Sequence, residues 1–322
     1  MAYTFTRMKP QYKIKKGAAE IATLRALRAF LDAKEPELVY FLTNTWRTQG
    51  RALTYKQLRE AILAGVITDE ILQEWVQDYA AFVVRYLQPA WIAAMEEAAK
   101  QIRKKHPDFY FDPYADAVRE WTANRAAQFV TEVSNTQIEG IRAVVQRAAV
   151  LEDMSVDELA RVIRPMVGLT HPQAVANLKY YTNLVENGVS EKKAQDLSLR
   201  YAARQHRYRG YNIARTELAF AYNQGSYLGT LQAQEQGYMG ETVKIWCTAD
   251  DERVCPVCGA LEGKQVAMDE DFPGINPRIS GETIHRVPPA HPSCRCAVMY
   301  KEIEPPIPTI NTTPKIVNVE IP

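Results

Sequence analysis

Apolar residues recur at helical spacing through most of the first three quarters of the chain. In the stretch 113–149, positions i, i+3, i+7 and i+10 are all apolar: Ile138, Ile141, Val145 and Ala148. This spacing places them on one face of an amphipathic helix. The pattern predicts a series of helices with short breaks over residues 17–236.

Capping residues, glycines and a proline divide this helical region. Thr68 is expected to cap a long helix, which Pro89 should kink or split because proline lacks a backbone N–H and its ring clashes with the preceding turn. Ser155, followed three residues later by a glutamate, forms a capping-box pattern. Gly168 is expected to end the helix that starts there, and Ser190 should start the last long one.

That last helix, expected to continue to about residue 236, carries small residues near one face: Ala214, Ala221, Gly225 and Gly229. A face without bulky side chains allows another backbone to approach closely. Each glycine costs a helix roughly 1 kcal/mol relative to alanine. We therefore expect close packing against this face to offset that cost.

After residue 236 the composition changes, and residues 241–248 (ETVKIWCT) alternate like a short strand. The predicted fold is mainly α: an elongated body of long helices, a small β-containing zinc-knuckle module near the C-terminus, and an extended proline-rich arm. The predicted divisions are an N-terminal helical region, a central long-helix region, the module and the arm, over residues 1–110, 111–236, 237–300 and 301–322.

Charge and hydropathy narrow the function classes. The 322 residues include 39 basic and 38 acidic side chains, for a formal net charge of +1. This balance gives no global field that would attract nucleic acid or acidic lipid, so any such contact must depend on a local patch. The chain shows no secretory signal and no long apolar run, and we expect a protein made in a host cytoplasm without a membrane partner.

The five cysteines all lie between residues 247 and 296. Cysteines separated by two residues in CPVCG can direct both sulfurs to one point, and a later HPSCRC segment supplies a second pair, as in zinc knuckles. The candidate metal ligands are five, for four positions: Cys255, Cys258, His291, Cys294 and Cys296. The preferred set omits Cys296, which competes because alternate residues of a strand share a face.

Two alternatives to a structural zinc site remain open. The cysteines could instead be buried small hydrophobes or form disulfides. A catalytic zinc is disfavoured because a closed set of nitrogen and sulfur ligands leaves no position for water, and neither a His-x-Glu nor a His-Glu-x-x-His sequence occurs. Cys247, in the predicted strand, is expected to pack in the core.

Two charged clusters suggest other chemistry. An acidic cluster beside the knuckle, together with a later histidine, would suit a metal-dependent nuclease, although a solvated turn explains it as well: Asp250, Asp251, Glu252 and His285. A basic stripe at helical spacing could neutralise phosphates, although a solvated helix face is the commoner explanation: Arg200, Arg204 and Arg207.

Four segments in fixed order resemble the phage Mu F-like minor head proteins, the phage head morphogenesis family. They are VGLT at 167–170 with Gln173, IARTELAFAYNQG at 213–225, WCTADDERVCPVCGALEGK at 246–264 and PPAHPSCRC at 288–296. The residues that match the helix motif are Arg215, Glu217, Asn223 and Gly225. Those that match the module motif are Asp250, Asp251, Cys255, Cys258, Gly263, His291, Cys294 and Cys296.

The resemblance implies a virion component of the phage head near the portal vertex, assembled in the host cytoplasm. It implies the portal protein and the major capsid protein as partners, with packaged DNA as a further contact. It implies no catalytic residues and no small-molecule substrate. The rival functions are a metal-dependent nuclease and a DNA-binding zinc protein, because fold likeness alone does not fix function.

Overall fold

The computed structural model describes residues 16–151, 154–249, 251, 254–272 and 286–303. Within these ranges the chain is mainly α-helical, with long helices and one small antiparallel sheet near the C-terminus, which confirms the predicted fold class. No helix in the described part of the chain is both long and apolar enough to cross a membrane.

Long helices form the body, and the three strands follow them in the chain. The helices are α1 (Ala18–Ala52), α2 (Tyr55–Ala64), α3 (Asp69–Phe82), α4 (Gln88–Arg103), α5 (Asp116–Ala148), α6 (Val156–Ile163), α7 (His171–Glu186), α8 (Glu191–Glu235) and the short α9 (Pro256–Gly259). The strands are β1 (Thr242–Cys247), β2 (Gln265–Ala267) and β3 (Ala297–Glu302), and β1 pairs antiparallel with both others.

The break predicted at Pro89 is confirmed, and it takes the form of a π-helical turn. Val83–Leu87 adopt π-helical bonding, and α4 follows at once with Pro89 in its first turn. The ring of a proline clashes with the carbonyl four residues earlier, here that of Arg85 inside the π turn. A wider turn accommodates that clash. Thr68 is the N-cap residue of α3, but the expected side-chain capping bond is not formed.

The helix that begins after Ser155 is shorter than expected. The Ser155 hydroxyl accepts a hydrogen bond from the Glu158 amide at 3.2 Å, which confirms the predicted start. The α-helix ends at Ile163, and a single 3-10 turn over Arg164–Met166 leads to Gly168. The proline within that turn, which lacks an N–H, explains the early end of regular α-helical bonding.

The small face of α8 lies against α4, as its composition predicts. A side chain at Gly225 would overlap the backbone and side chain of Met95, and one at Gly229 would lie 3.1 Å from Ile102. The two helix axes can therefore approach closely only because these two positions lack a Cβ. This packing holds α4 along the C-terminal half of the longest helix in the fold.

The C-terminal sheet shares a hydrophobic core with the helices. One cluster of buried side chains joins Met95 of α4 and Tyr227 of α8 to Trp246 of β1 and to Cys258. Two further clusters fill the helical body itself. The segment that carries the candidate ligands is thus anchored to α4 and α8 by apolar contacts.

The predicted C-terminal arm lies almost entirely outside the described residues. Strand β3 continues through Glu302, so the first two residues of the predicted arm belong to the sheet. They pair with β1, where Lys301 lies opposite Val243. Residues 304–322 are outside the described ranges.

Candidate metal centre

The two cysteine-containing segments meet at one point. Cys255 is the N-cap of α9, and its sulfur accepts a hydrogen bond from the Cys258 amide at 3.3 Å, which turns both sulfurs to the same side. His291 Nε2 lies 3.1 Å from Cys255 Sγ and 3.2 Å from Cys258 Sγ. Cys258 Sγ in turn lies 3.6 Å from Cys294 Sγ.

These contacts define two overlapping triplets that could hold a metal ion. One is Cys255, Cys258 and His291, and the other is Cys258, Cys294 and Cys296; within each, the ligand atoms lie within 4.8 Å of one another. In a tetrahedral zinc site, bond lengths near 2.0–2.3 Å place neighbouring ligand atoms about 3.5–3.8 Å apart. The structure therefore brings together all five predicted candidates, with Cys258 common to both triplets.

Hydrogen bonds orient the candidate ligand atoms and shift the pKa values of the thiols. His291 Nδ1 lies 2.9 Å from the Pro292 carbonyl, an arrangement that suits the tautomer with its N–H at Nδ1 and directs the Nε2 lone pair toward the thiols. The contact between Cys258 and Cys294 lowers the pKa of the Cys294 thiol and raises the pKa of the Cys258 thiol. Adjacent thiols cannot all ionise without a counter-charge, and a bound divalent cation provides one.

Helix α8 holds the loop that carries His291 and Cys294. Ser293 has a left-handed backbone (φ 59°), and its amide donates to the Thr216 hydroxyl of α8 at 2.8 Å. The Asn223 side chain of α8 donates to the Cys296 carbonyl at 3.3 Å. Asn223 also accepts a bond from the Val298 amide at 3.0 Å, which fixes the start of β3.

Two charged residues of the same α8 motif join this helix to the body. Arg215 donates two hydrogen bonds of 2.7 Å to the buried Glu35 carboxylate of α1. Glu217 accepts a bond of 2.9 Å from Arg125 Nε of α5. The four motif residues therefore contact four different elements. Arg215 contacts α1, Glu217 contacts α5, Asn223 contacts β3, and the motif glycine allows α4 to pack closely. Sequence reasoning identified the motif but not these roles.

The acidic cluster has one described member, and it forms an ion pair. Asp251 accepts bonds from both terminal nitrogens of Arg295, one of them at 2.7 Å. The hydrogen bond with Asp251 raises the pKa of Arg295 further above its usual range. Since Arg295 lies between Cys294 and Cys296, this pair connects the two segments of the centre. The other members of the nuclease hypothesis (Asp250, Glu252 and His285) lie outside the described residues.

Cys247 lies apart from the two triplets. It ends strand β1, is fully buried, and burial raises the pKa of its thiol to about 12. A thiol that resists ionisation in an apolar setting is a packing residue and not a reactive one.

The basic stripe of α8 is partly neutralised. Arg200 pairs with Asp196 at 3.0 Å, and the Arg204 guanidinium lies 5.5 Å from the centre of the Tyr201 ring. Arg207 is exposed. Arg209, in the same basic stretch, is buried and donates to the Thr136 hydroxyl at 2.7 Å, so it belongs to the core.

Comparison with known proteins identifies one family. The family model described as "Phage Mu protein F like protein" matches residues 139–299, which is half of the chain and includes all five candidate ligands. No curated protein matches the chain. No solved structure matches it either.

Proposed function

The chain belongs to the phage Mu protein F-like family, and we propose that it is a minor head protein of a tailed bacteriophage. Membership supports a role in head morphogenesis and a place in the virion. The observation that carries the proposal is that the matched region contains the whole of helix α8 and all five candidate ligands. Its motif helix α8 contacts α1, α4, α5 and the loop of the metal centre.

We infer that the two triplets hold one structural zinc ion. The donor set fits zinc, because thiolate sulfur and imidazole nitrogen are its preferred ligands in closed tetrahedral sites. The proposed ligands are Cys255, Cys258, His291 and Cys294, with Cys296 as the competing fourth ligand. When bound, the ion cross-links the α9 turn to the loop before β3, and a small sheet of this size gains much of its stability from such a link.

The proposed role is structural. The helical body would dock on the portal protein and on the inner face of the major capsid shell, after synthesis in the host cytoplasm. There it would assist head assembly, DNA packaging or DNA delivery. Buried ion pairs and a metal cross-link suit such a role, because they hold several elements in one fixed arrangement.

Cross-linking of purified virions tests this function. We expect the chain to copurify with DNA-filled particles and to yield cross-links from its exposed lysines to the portal protein. Particles treated with nuclease after opening should retain it, because the proposed docking contacts are with the portal and capsid proteins. A chain that is abundant in infected cells but missing from purified particles would overturn the proposal.

The nuclease alternative predicts a different result. Because Arg295 engages the Asp251 carboxylate, we expect no Mg²⁺-dependent nicking of supercoiled plasmid by the purified protein. Asp251→Ala and the matched control Glu139→Ala, an exposed carboxylate on α5, should then be indistinguishable from the wild type. Robust cleavage that disappears only in Asp251→Ala would establish the enzyme reading instead.

A further inference from the structure

A second site lies in the helical body, away from the metal centre. A cavity of about 660 Å³ opens between the C-terminal part of α1, the 3-10 turn after α6 and the middle of α8. Five arginines line it, and no aspartate or glutamate does: Arg47, Arg51, Arg161, Arg164 and Arg207. Its volume lies within the range of small-ligand pockets, about 300–1,000 Å³.

Four of these arginines have charges without an acidic partner. Arg47, Arg51, Arg161 and Arg207 are exposed, and within the described residues none of their side chains forms an ion pair. They come from three different helices, so the chain fold and not one local run of sequence gathers them. Like charges that converge without a counter-ion repel one another, and a bound anion would relieve that repulsion.

The fifth arginine, Arg164, offsets the partial negative charge at the end of α1, which would otherwise repel an anion in the cavity. The C-terminal carbonyls of a helix carry a partial negative charge, and the end of α1 faces the cavity. Arg164 Nε donates to the Gly50 carbonyl at 2.7 Å, and Arg164 Nη2 donates to the Arg51 carbonyl at 2.5 Å. Its guanidinium also lies 4.7 Å from the centre of the Tyr55 ring, which holds it in this position.

The inner wall of the cavity is uncharged. His206 Nε2 lies 2.8 Å from the Val167 carbonyl. The pKa of His206 is lowered to about 4, chiefly by burial and to a smaller extent by the charges of Arg209 and Arg47, although the hydrogen bond to the Val167 carbonyl opposes the shift. The imidazole is therefore neutral near pH 7, and the positive field in the cavity comes from the arginines.

We propose that this arginine-lined cavity is a binding site for phosphate groups. The planar guanidinium fork matches two oxygens of a phosphate, whereas a single ammonium does not. Four guanidinium groups without an acidic partner among the described residues surround one opening, which suits a ligand with several negatively charged oxygens. The phosphates could belong to a DNA strand or to a small phosphorylated molecule, and both share this chemistry. This proposal does not depend on the role in the phage head, because the binding that it predicts can be measured with the purified chain.

Binding of two probes at several salt concentrations tests the site. The probes are a short fluorescein-labelled DNA duplex and inorganic pyrophosphate. The test variant is Arg47→Gln/Arg207→Gln, and the matched control is Arg25→Gln/Arg142→Gln, which removes two exposed arginines outside the cavity. For the duplex, the slope of log affinity against log salt should fall by about two in the test variant, or about one for each lost phosphate contact.

Each result decides for or against the site. Duplex binding that weakens at least about tenfold in the test variant but not in the control assigns the site to nucleic-acid phosphates. Pyrophosphate binding with the same dependence, and no duplex binding, assigns it to small phosphorylated ligands. Arg47→Lys/Arg207→Lys, which keeps the charges, should restore part of the lost affinity and so exclude misfolding. No binding of either probe, or equal binding by both double variants, would overturn the proposal.

Discussion

Cys258→Ser should abolish zinc binding and loosen the chain from about residue 240 to residue 300, while the helices of the body remain folded. Cys258 belongs to both metal-capable triplets, so its loss leaves each triplet, and the proposed ligand set, one ligand short. Structural zinc contributes on the order of 10 kcal/mol to the folding of small metal-dependent units. The helical body keeps its two other hydrophobic clusters, which include none of the five candidate ligands.

Elemental analysis combined with limited proteolysis measures this effect. The wild type should contain about one zinc per chain, as a closed tetrahedral site requires. Chelation should expose three further reactive thiols if His291 is the fourth ligand. The matched control is Cys247→Ser, a buried cysteine outside both triplets, which should retain the metal. A Cys258→Ser protein with the zinc content and protease map of the wild type would contradict the assignment.

Zinc content also distinguishes between Cys294 and Cys296, which compete for one position in the site. Cys294 Sγ lies 3.6 Å from Cys258 Sγ, close to the spacing of sulfurs that share a zinc ion. We therefore expect Cys294→Ser to lose zinc and Cys296→Ser to retain most of it. The reverse result would exchange their roles and leave the centre itself in place.

Local rules located the helices and brought out the candidate ligands, but they did not identify the distant residues that these elements contact. The two-residue gap between Cys255 and Cys258 predicts convergent sulfurs because one short turn determines the geometry. Contacts such as that of Arg215 with Glu35, 180 positions apart in sequence, depend on how whole helices pack. Periodicity in one segment contains no information about which distant segment lies against it.

The basic stretch of α8 shows the same limit. Its arginines look alike in sequence, yet Arg209 is buried, Arg200 is paired with an acid and Arg207 lines a cavity. Helix α8 is surrounded by other elements along much of its length, so it has no single solvent face from which exposure could be inferred. Only the positions of α1 and the turn after α6 distinguish these side chains.

Gly168→Ala should destabilise the fold by at least about 3 kcal/mol, although the glycine has no chemical function. Gly168 has a positive φ of 91°, a conformation that costs any residue with a Cβ roughly 1–2 kcal/mol. An added methyl would also overlap the Trp46 ring. Thermal or urea unfolding of the purified variant measures the loss.

Trp46 cannot move aside to admit the methyl. Its indole N–H donates to the Tyr79 hydroxyl at 2.7 Å, and the buried guanidinium of Arg209 lies 5.1 Å from the centre of its ring. Arg209 also donates to the Gly168 carbonyl, so a shift of either residue breaks a buried hydrogen bond.

The control is Gly188→Ala, which shares the positive φ (78°) but has no heavy atom within 4 Å of the added carbon. It should cost only about 1–2 kcal/mol, the backbone part of the effect. The difference between the two variants measures the packing of Trp46 against the VGLT segment. Equal losses would mean that this segment matters for its backbone conformation alone and that Trp46 adapts to the methyl.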